Sequence, residues 1–386
     1  MLSGGYGDEK GMKILIGTAL ALGTGGVRSY VQTLENELVA KGHDVSVKQP
    51  DLLRFYHKIM ARIKSLGNHN KVRQELMKAN TSSSFTKTRK YMQTNGENLE
   101  LIHAQDVLYA ASLREMHIPV VLTVHGPLLK EMEMASKLSQ HVRSYIIEQE
   151  RIAYEGAAHI LAVDTGQKKI IVEEYNIDPE KITVLLNAVD TRLFTPLSLE
   201  EPEVPFYLVP RRLVPKNGVG VAIKAFRHLQ DERMELWIVG DGPDRSILEE
   251  LVDHEGLTNK VRFIGSIEQA EMVTMMNQAE GIVIPSIPVN GVIEASSISA
   301  LEGMSVGKPV IASNIGGLSE MITHMKNGCL FSAGDDSELA ALIRKLHADR
   351  ELRKLLGENA LEYVRVNHSS TAWSEKIVKV YESVCK

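Results

Sequence analysis

The chain has 386 residues, more than one hydrophobic core usually serves, so two domains of ordinary size are expected. A hydrophobic content of 44% with 24% charged residues describes a globular protein, while a net charge of -5 and 5% aromatic residues argue against nucleic acid as the main partner. Cys329 and Cys385 are the only cysteines, which suits a reducing cytosol and argues against a disulfide scaffold. No apolar run approaches the roughly 20 residues that a membrane-spanning helix needs.

Residues 1–11 carry no periodicity and read as a tail. The run Ile14 to Leu22 after Lys13 imitates a short signal-peptide core, but Gly-Thr-Gly-Gly comes after it rather than a small-residue cleavage site, so it is read as the first buried strand. From there apolar runs alternate with amphipathic stretches, the pattern of a parallel α/β sheet. Strands are expected at Lys13–Gly17, Asp44–Lys48, Leu101–Ala104, Val120–Val124 and His159–Val163 in the first half. In the second half they are expected at Pro205–Val209, Glu235–Val239, Val261–Ile264, Gly281–Ile284 and Pro309–Ala312. The stretch Thr195 to Pro205 holds three prolines and three glutamates without an apolar period and reads as a linker, placed at 196–205 between domains 12–195 and 206–368. A helix near Thr371–Val384 ends the chain, within a last segment at 369–386.

Taken in order, four features carry chemistry. Gly23-Thr-Gly-Gly26 comes after a strand and opens a helix near Val27, where glycine lets backbone amides approach a phosphate. A dinucleotide site is the alternative there, but Ser29 stands where a third glycine or alanine would fall and no acidic residue closes a second strand about 20 residues on. Between Arg54 and Lys90 ten Lys/Arg face one acid, Glu75, a balance of +9 that leaves -14 for the remainder. With Phe55, Tyr56, Ile59, Met60, Ile63 and Leu66 at helical spacing, two readings stand: a solvated basic helix with its apolar stripe packed inward, or a surface helix that lies on anionic lipid or receives an anionic acceptor. His125 ends the strand Val120–Val124 at the edge where α/β ligands bind, and His103 reads equally as cleft-lining or packing. No His/Cys/Asp cluster has metal spacing, so no metal site is expected.

The fourth feature is the pair Glu294 and Glu302 in Glu-Ala-Ser-Ser-Ile-Ser-Ala-Leu-Glu. Roughly six acid pairs at this spacing are expected by chance, so two solvated helix glutamates would be the bland account of a bare match. Context changes that. The segment leaves the apolar run Gly281 to Ser286 and enters a short helical stretch closed by Gly307-Lys-Pro309, with Ser296 or Ser297 as N-cap. A diphosphate on that helix N-terminus would have one carboxylate before it and one more than a turn inside it, both able to accept hydroxyl protons. Arg212, just after the first strand of the second half, is placed to neutralise a diphosphate leaving group, unless it belongs to a solvated loop.

These motifs resemble those of the family-4 glycosyltransferases with the GT-B arrangement. Glu294 to Glu302 matches the family's Glu-x7-Glu motif, and Gly307-Lys-Pro-Val-Ile-Ala-Ser313 with Gly316-Gly-Leu-Ser-Glu320 matches the stretch beyond it. Gly25-Gly26, His125-Gly126, Asn187-Ala-Val-Asp190 with Phe194, Arg212-Leu-Val-Pro215, Gly240-Asp-Gly-Pro243 and Phe263-Ile-Gly265 match in family order across residues 12–340. The resemblance implies two Rossmann-like domains with parallel sheets facing a central cleft, and a last helix that crosses back to the first domain. It implies sugar transfer with retention from a nucleotide-diphosphate sugar, UDP-sugar favoured, to a small-molecule, glycan or lipid-linked acceptor, without a metal or other cofactor. Gly25 and Gly26 would meet the donor phosphates, Arg212 with Lys216 the diphosphate, Ser296, Ser297 and Ile298 the same group through amides, and Glu302 the ribose. Glu294 would hold sugar hydroxyls, and His125 the transferred sugar or the acceptor. The family's usual lysine falls at Asn217, so either Lys216 reaches in, or Arg211 supplies the charge, or the site works with one cation fewer. Ala295-Ser296-Ser297 replaces the common Gly-Phe-Gly, so sugar contacts would differ. A GT-B nucleotide-sugar epimerase and a non-catalytic sugar-nucleotide binder are the alternatives. The expected place is the cytoplasm, with a peripheral contact at the inner face of the membrane through residues 54–90 under the second reading of that segment.

Overall fold

The computed structural model describes residues 11–19, 26–49, 69–95, 98–135 and 137–386. The Arg54 to Leu66 part of the basic segment, and Gly25, lie outside them. Two compact units are present: the described residues up to Val163 with Gln167–Leu185 and Ser374–Lys386, and Asp164–Gly166 with Leu186–Trp373.

The first unit is a six-stranded sheet built from β1 (Lys13–Gly17), β2 (Asp44–Lys48), β3 (Leu101–Ala104), β4 (Val120–Val124), β5 (His159–Ala162) and β6 (Ile182–Val184). The order is β2-β1-β3-β4-β5-β6 and every pairing is parallel. All five residues of β4 are buried, as a parallel strand covered on both faces requires, which is why its sequence is an unbroken apolar run apart from Thr123. Helices Gly26–Ala40, His69–Asn95, Val107–Ser112 and Gln140–Gly156 belong to this unit. Asp106 caps the third of them by accepting from the Tyr109 amide at 2.8 Å.

The second unit repeats the plan with β7 (Phe206–Pro210), β8 (Glu235–Val239), β9 (Val261–Gly265), β10 (Gly281–Ile284), β11 (Val310–Ser313) and β12 (Cys329–Phe331), in the order β12-β11-β10-β7-β8-β9. Again all neighbours run parallel. The two sheets with their flanking helices are two Rossmann-like domains. Ten of the strands fall at or within a residue of the expected places; β6 and β12, three residues each, lie outside the expected set.

Two boundaries need correction. The division falls between Leu185 and Leu186, so the proline-rich stretch expected as a linker lies within the second unit. Asn277 fixes it there: its Oδ1 accepts from the Leu197 amide at 2.7 Å and its Nδ2 donates to the Thr195 carbonyl at 3.1 Å. The last helix, Ser370–Val384, begins among second-unit residues, and only from Ser374 does it count with the first unit, where Ile377 and Tyr381 are fully buried.

Candidate functional site

In parallel α/β sheets, side chains that act on ligands collect past the C-terminal ends of strands, where helix N-termini converge. In the second unit β7 and β10 are neighbours, and the loops leaving them carry most of the acidic and basic residues singled out above. Past β10, Ser297 caps the helix Ile298–Ser305 with its side chain accepting from the Ala300 amide at 3.4 Å. Ser297, rather than Ser296, is therefore the N-cap. Ser296 is held by another residue: its Oγ accepts from the Asn187 amide at 2.9 Å and its carbonyl from Asn187 Nδ2 at 2.6 Å.

The loop 294–296 is also held from the far side by backbone. The Gly317 amide donates to the Glu294 carbonyl at 3.1 Å. A Cβ on Gly317 would stand 2.5 Å from the Ser296 nitrogen, and one on Gly316, at φ +48°, 2.1 Å from the Glu294 oxygen. Only glycine permits that approach.

Arg211 and Glu294 form a buried ion pair, Nη2 to Oε2 at 2.8 Å, with side chains 9% and 11% exposed. Nη2 also reaches Asn217 Oδ1 at 2.5 Å and Ser286 Oγ at 3.1 Å, and Nη1 donates to Ser297 Oγ at 3.1 Å. Ser286 Oγ donates in turn to Glu294 Oε2 at 3.3 Å. Asn217, at the position of the family's lysine, thus points into this cluster, and its Nδ2 closes on the Arg212 carbonyl at 2.7 Å. Arg212 is exposed and Lys216, in the short turn Pro215–Asn217, is half-buried. Glu302 lies in the second turn of the helix Ile298–Ser305, half-buried, and desolvation pushes its carboxyl up to about 7. The arrangement presents an exposed guanidinium, a set of helix-start amides, the Glu294 carboxylate paired with Arg211, and the Glu302 carboxyl raised by its burial.

In the first unit His125 comes directly after β4. Its Nε2 is 3.0 Å from Gln105 Oε1, the Tyr30 ring meets it edge-on at 4.7 Å, and burial lowers its pKa to about 4. A neutral imidazole of this kind exchanges hydrogen bonds with hydroxyls rather than carrying charge. Gly26 is at the start of the helix Gly26–Ala40. His103 is a packing residue, fully buried between Tyr381 and Thr123. Among the described residues no three His, Cys, Asp or Glu side chains are gathered to hold a metal, and no helix is long and apolar enough to cross a membrane.

Sequence profiles of two families divide the chain between them. Glycosyltransferase Family 4 matches residues 24–193 and Glycosyl transferases group 1 matches residues 196–363. Together the two matches support a glycosyltransferase of the GT-B fold that is similar to family 4. The lipopolysaccharide core biosynthesis glycosyltransferase LpsD of Rhizobium meliloti is 33% identical to it over 207 residues, 52% of this chain and 57% of that one. Among solved structures, sucrose-phosphate synthase of Thermosynechococcus elongatus superposes with a TM-score of 0.77 at 20% identity, over 96% of this chain and 99% of that one. Anabaena HepE in complex with UDP-glucose superposes with a TM-score of 0.70 at 17% identity, over 96% and 99%. At these identities the two structures speak to fold alone. The family matches do not favour the epimerase alternative.

Within this glycosyltransferase, the second unit gathers Arg211, Ser297 and Glu294, with Arg211 touching both of the others, while Ser296 is held separately by Asn187. Asn187 and Ser286 have supporting roles that the sequence reading does not assign. The Asn187-Ala-Val-Asp190 match is the signal available for the first, and a lone serine after a strand offers none for the second.

Proposed function

We propose that this glycosyltransferase transfers a sugar, with retention of anomeric configuration, from a nucleotide-diphosphate sugar to an acceptor hydroxyl. A UDP-sugar is the favoured donor, a reading supported by the UDP-glucose bound to the similarly folded Anabaena HepE. The observation that carries the proposal is the placement of Glu294 and Glu302 on either side of the Ser297-capped helix N-terminus, with Arg212 exposed on the loop of the adjoining strand.

In the transfer, the bond from the anomeric carbon to the diphosphate oxygen breaks and its electron pair leaves with the diphosphate. The acceptor oxygen forms the new bond on the same face, and its proton passes to a leaving-group phosphate oxygen. The catalytic demand is then stabilisation of charge on the departing diphosphate, which Arg212, Lys216 and the amides at Ser297 and Ile298 would meet. Glu302 would accept the ribose hydroxyls, Glu294 a hydroxyl of the sugar, and His125 would bind the transferred sugar or the acceptor. Gly25 and Gly26 would approach the phosphates from the first unit's sequence. Small molecules, glycans and lipid-linked sugars are the acceptor classes, and an anionic membrane contact through residues 54–90 belongs to the same proposal.

A thermal-shift panel of UDP-, GDP- and ADP-sugars, run with and without EDTA, tests it. A donor at 100 times its Kd stabilises by about 2.7 kcal/mol, so a true donor raises Tm measurably. Stabilisation by one nucleotide class that persists in EDTA is expected; no shift with any of them contradicts the proposal.

A further inference from the structure

Arg211 is nine-tenths buried, and a buried guanidinium is tolerated only where its charge and its donors are met. Its partners come from two separate segments: Asn217 from the turn after β7, and Ser286, Glu294 and the helix cap Ser297 from the stretch between β10 and the helix Ile298–Ser305. The same side chain therefore ties the first glutamate to the helix N-terminus. It occupies Glu294 Oε2 and leaves Oε1 without a partner among the described residues. One donor, Arg211 Nε, is buried and has no acceptor among the described residues, so the guanidinium is set by its outer nitrogens toward Glu294 rather than by ideal satisfaction of the whole group.

Asn217 is the informative neighbour. Its Oδ1 lies 2.5 Å from Arg211 Nη2, next to the atom that holds Glu294, so the end of side chain 217 and the end of side chain 211 meet at one place. A cation on either residue would sit beside the Glu294 carboxylate, and cations on both would repel each other in a site shielded from water.

We infer that positions 211 and 217 share a single site for a fixed cation, and that Arg211, by filling it, is the positioning residue that orients and neutralises Glu294. Asn217 is then the neutral half of the arrangement, accepting from the guanidinium where a second charge would be expelled. The inference rests on the donor-site reading for its functional half and on the geometry alone for the shared cation.

The test is a swap of the charge between the two positions. Asn217→Lys is made in the wild type and in Arg211→Met, and Tm, UDP affinity by calorimetry, and kcat and KM are measured for all four proteins. Asn217→Lys is expected to lower Tm in the wild type and to raise it in Arg211→Met, a reversal of sign that packing alone does not produce. Arg211→Met is expected to lower kcat about 10²-fold, with UDP affinity changed far less, and the added lysine to restore at least tenfold of that. Should Arg211→Met fail to accumulate folded, recovery of folded protein on adding Asn217→Lys gives the same sign. The same direction of change in both backgrounds, or a double variant as inactive as the single one despite a restored Tm, overturns the inference. Reversal of sign in a protein that binds no nucleotide sugar faults the donor reading and upholds the shared cation site.

Discussion

The Tyr381 hydroxyl lies 2.6 Å from Nδ1 of His103, joining the last helix of the chain to the third strand of the first unit across 278 positions of sequence. The other ring nitrogen of His103 is 2.7 Å from Thr123 Oγ1, which in turn meets the Tyr30 hydroxyl at 3.0 Å, and the Tyr30 ring packs on His125. Residues 374–386 thus take part in the polar row beneath His125 as well as in the hydrophobic core.

Tyr381→Phe removes one hydroxyl and leaves a buried imidazole nitrogen unpaired, at a cost of about 1–3 kcal/mol. Hydrogen exchange of the amides of Leu101–Ala104 and Val120–Val124 is expected to quicken accordingly, while amides of the second unit keep their protection. Unchanged exchange in both strands would show that the bond contributes nothing.

Acid should weaken the first unit in a window set by the fully buried His103 and the half-buried His125. Burial lowers the pKa of His103 to about 3, with the nearby His125 adding to the shift, and burial lowers that of His125 to about 4, against 6.5 for both when unfolded. Below pH 6.5 the unfolded chain binds more protons than the folded one, so the stability these groups confer is complete above 6.5 and is lost as pH falls toward 4 and then 3. The slope is at most about 1.4 kcal/mol per pH unit for each histidine. Unfolding in urea at a series of pH values reads it, and His103→Gln should remove one share of the slope.

The two glutamates should separate in kinetics. Glu294→Ala is expected to lower kcat by about 10²–10³ and Glu302→Ala to weaken donor binding. Because the Glu302 carboxyl titrates at about 7, UDP affinity should fall as pH drops below 7, by up to about tenfold per unit, and Glu302→Gln should flatten that dependence. Wild-type kinetics in both alanine variants would show that the site is elsewhere.

Gly317→Ala adds one methyl group 2.5 Å from the Ser296 nitrogen and 2.7 Å from the Ala295 carbonyl carbon, so the loop 294–296 must shift. Donor affinity and kcat are expected to fall together by roughly tenfold or more, because a small misplacement of the binding groups costs rate even when Gly317 touches no reacting atom. An alanine variant with unchanged activity would mean that the position of this loop does not matter to turnover.

The apolar runs made the fold largely legible. Strands buried on both faces, such as Val120–Val124, are written as continuous apolar segments, and two sets of them point to two parallel sheets. Ile182–Val184 and Cys329–Phe331 escape because three residues carry no period. The linker is misplaced by sequence because a proline-rich stretch has no pattern that says what it lies on; what holds it is Asn277, one polar residue inside an ordinary helix. In the site, Ser297 and the two glutamates can be read from capping rules and motif. The pairing of Arg211 with Glu294 cannot, since 83 residues separate them and two adjacent arginines in a loop look alike until one is buried. Sequence alone allows Arg211 as a source of charge for the diphosphate; instead its guanidinium is engaged by Glu294, Ser286, Asn217 and Ser297.

The most direct measurement is proton NMR of the anomeric signal after the full chain is incubated with the stabilising nucleotide sugar and an acceptor mixture of glycans, lipid-linked sugars and small alcohols. The account predicts a new glycoside whose anomeric configuration equals that of the donor, formed only when an acceptor is present and abolished by Arg212→Ala. A product of inverted configuration, or a donor converted to its epimer with no acceptor needed, would contradict it.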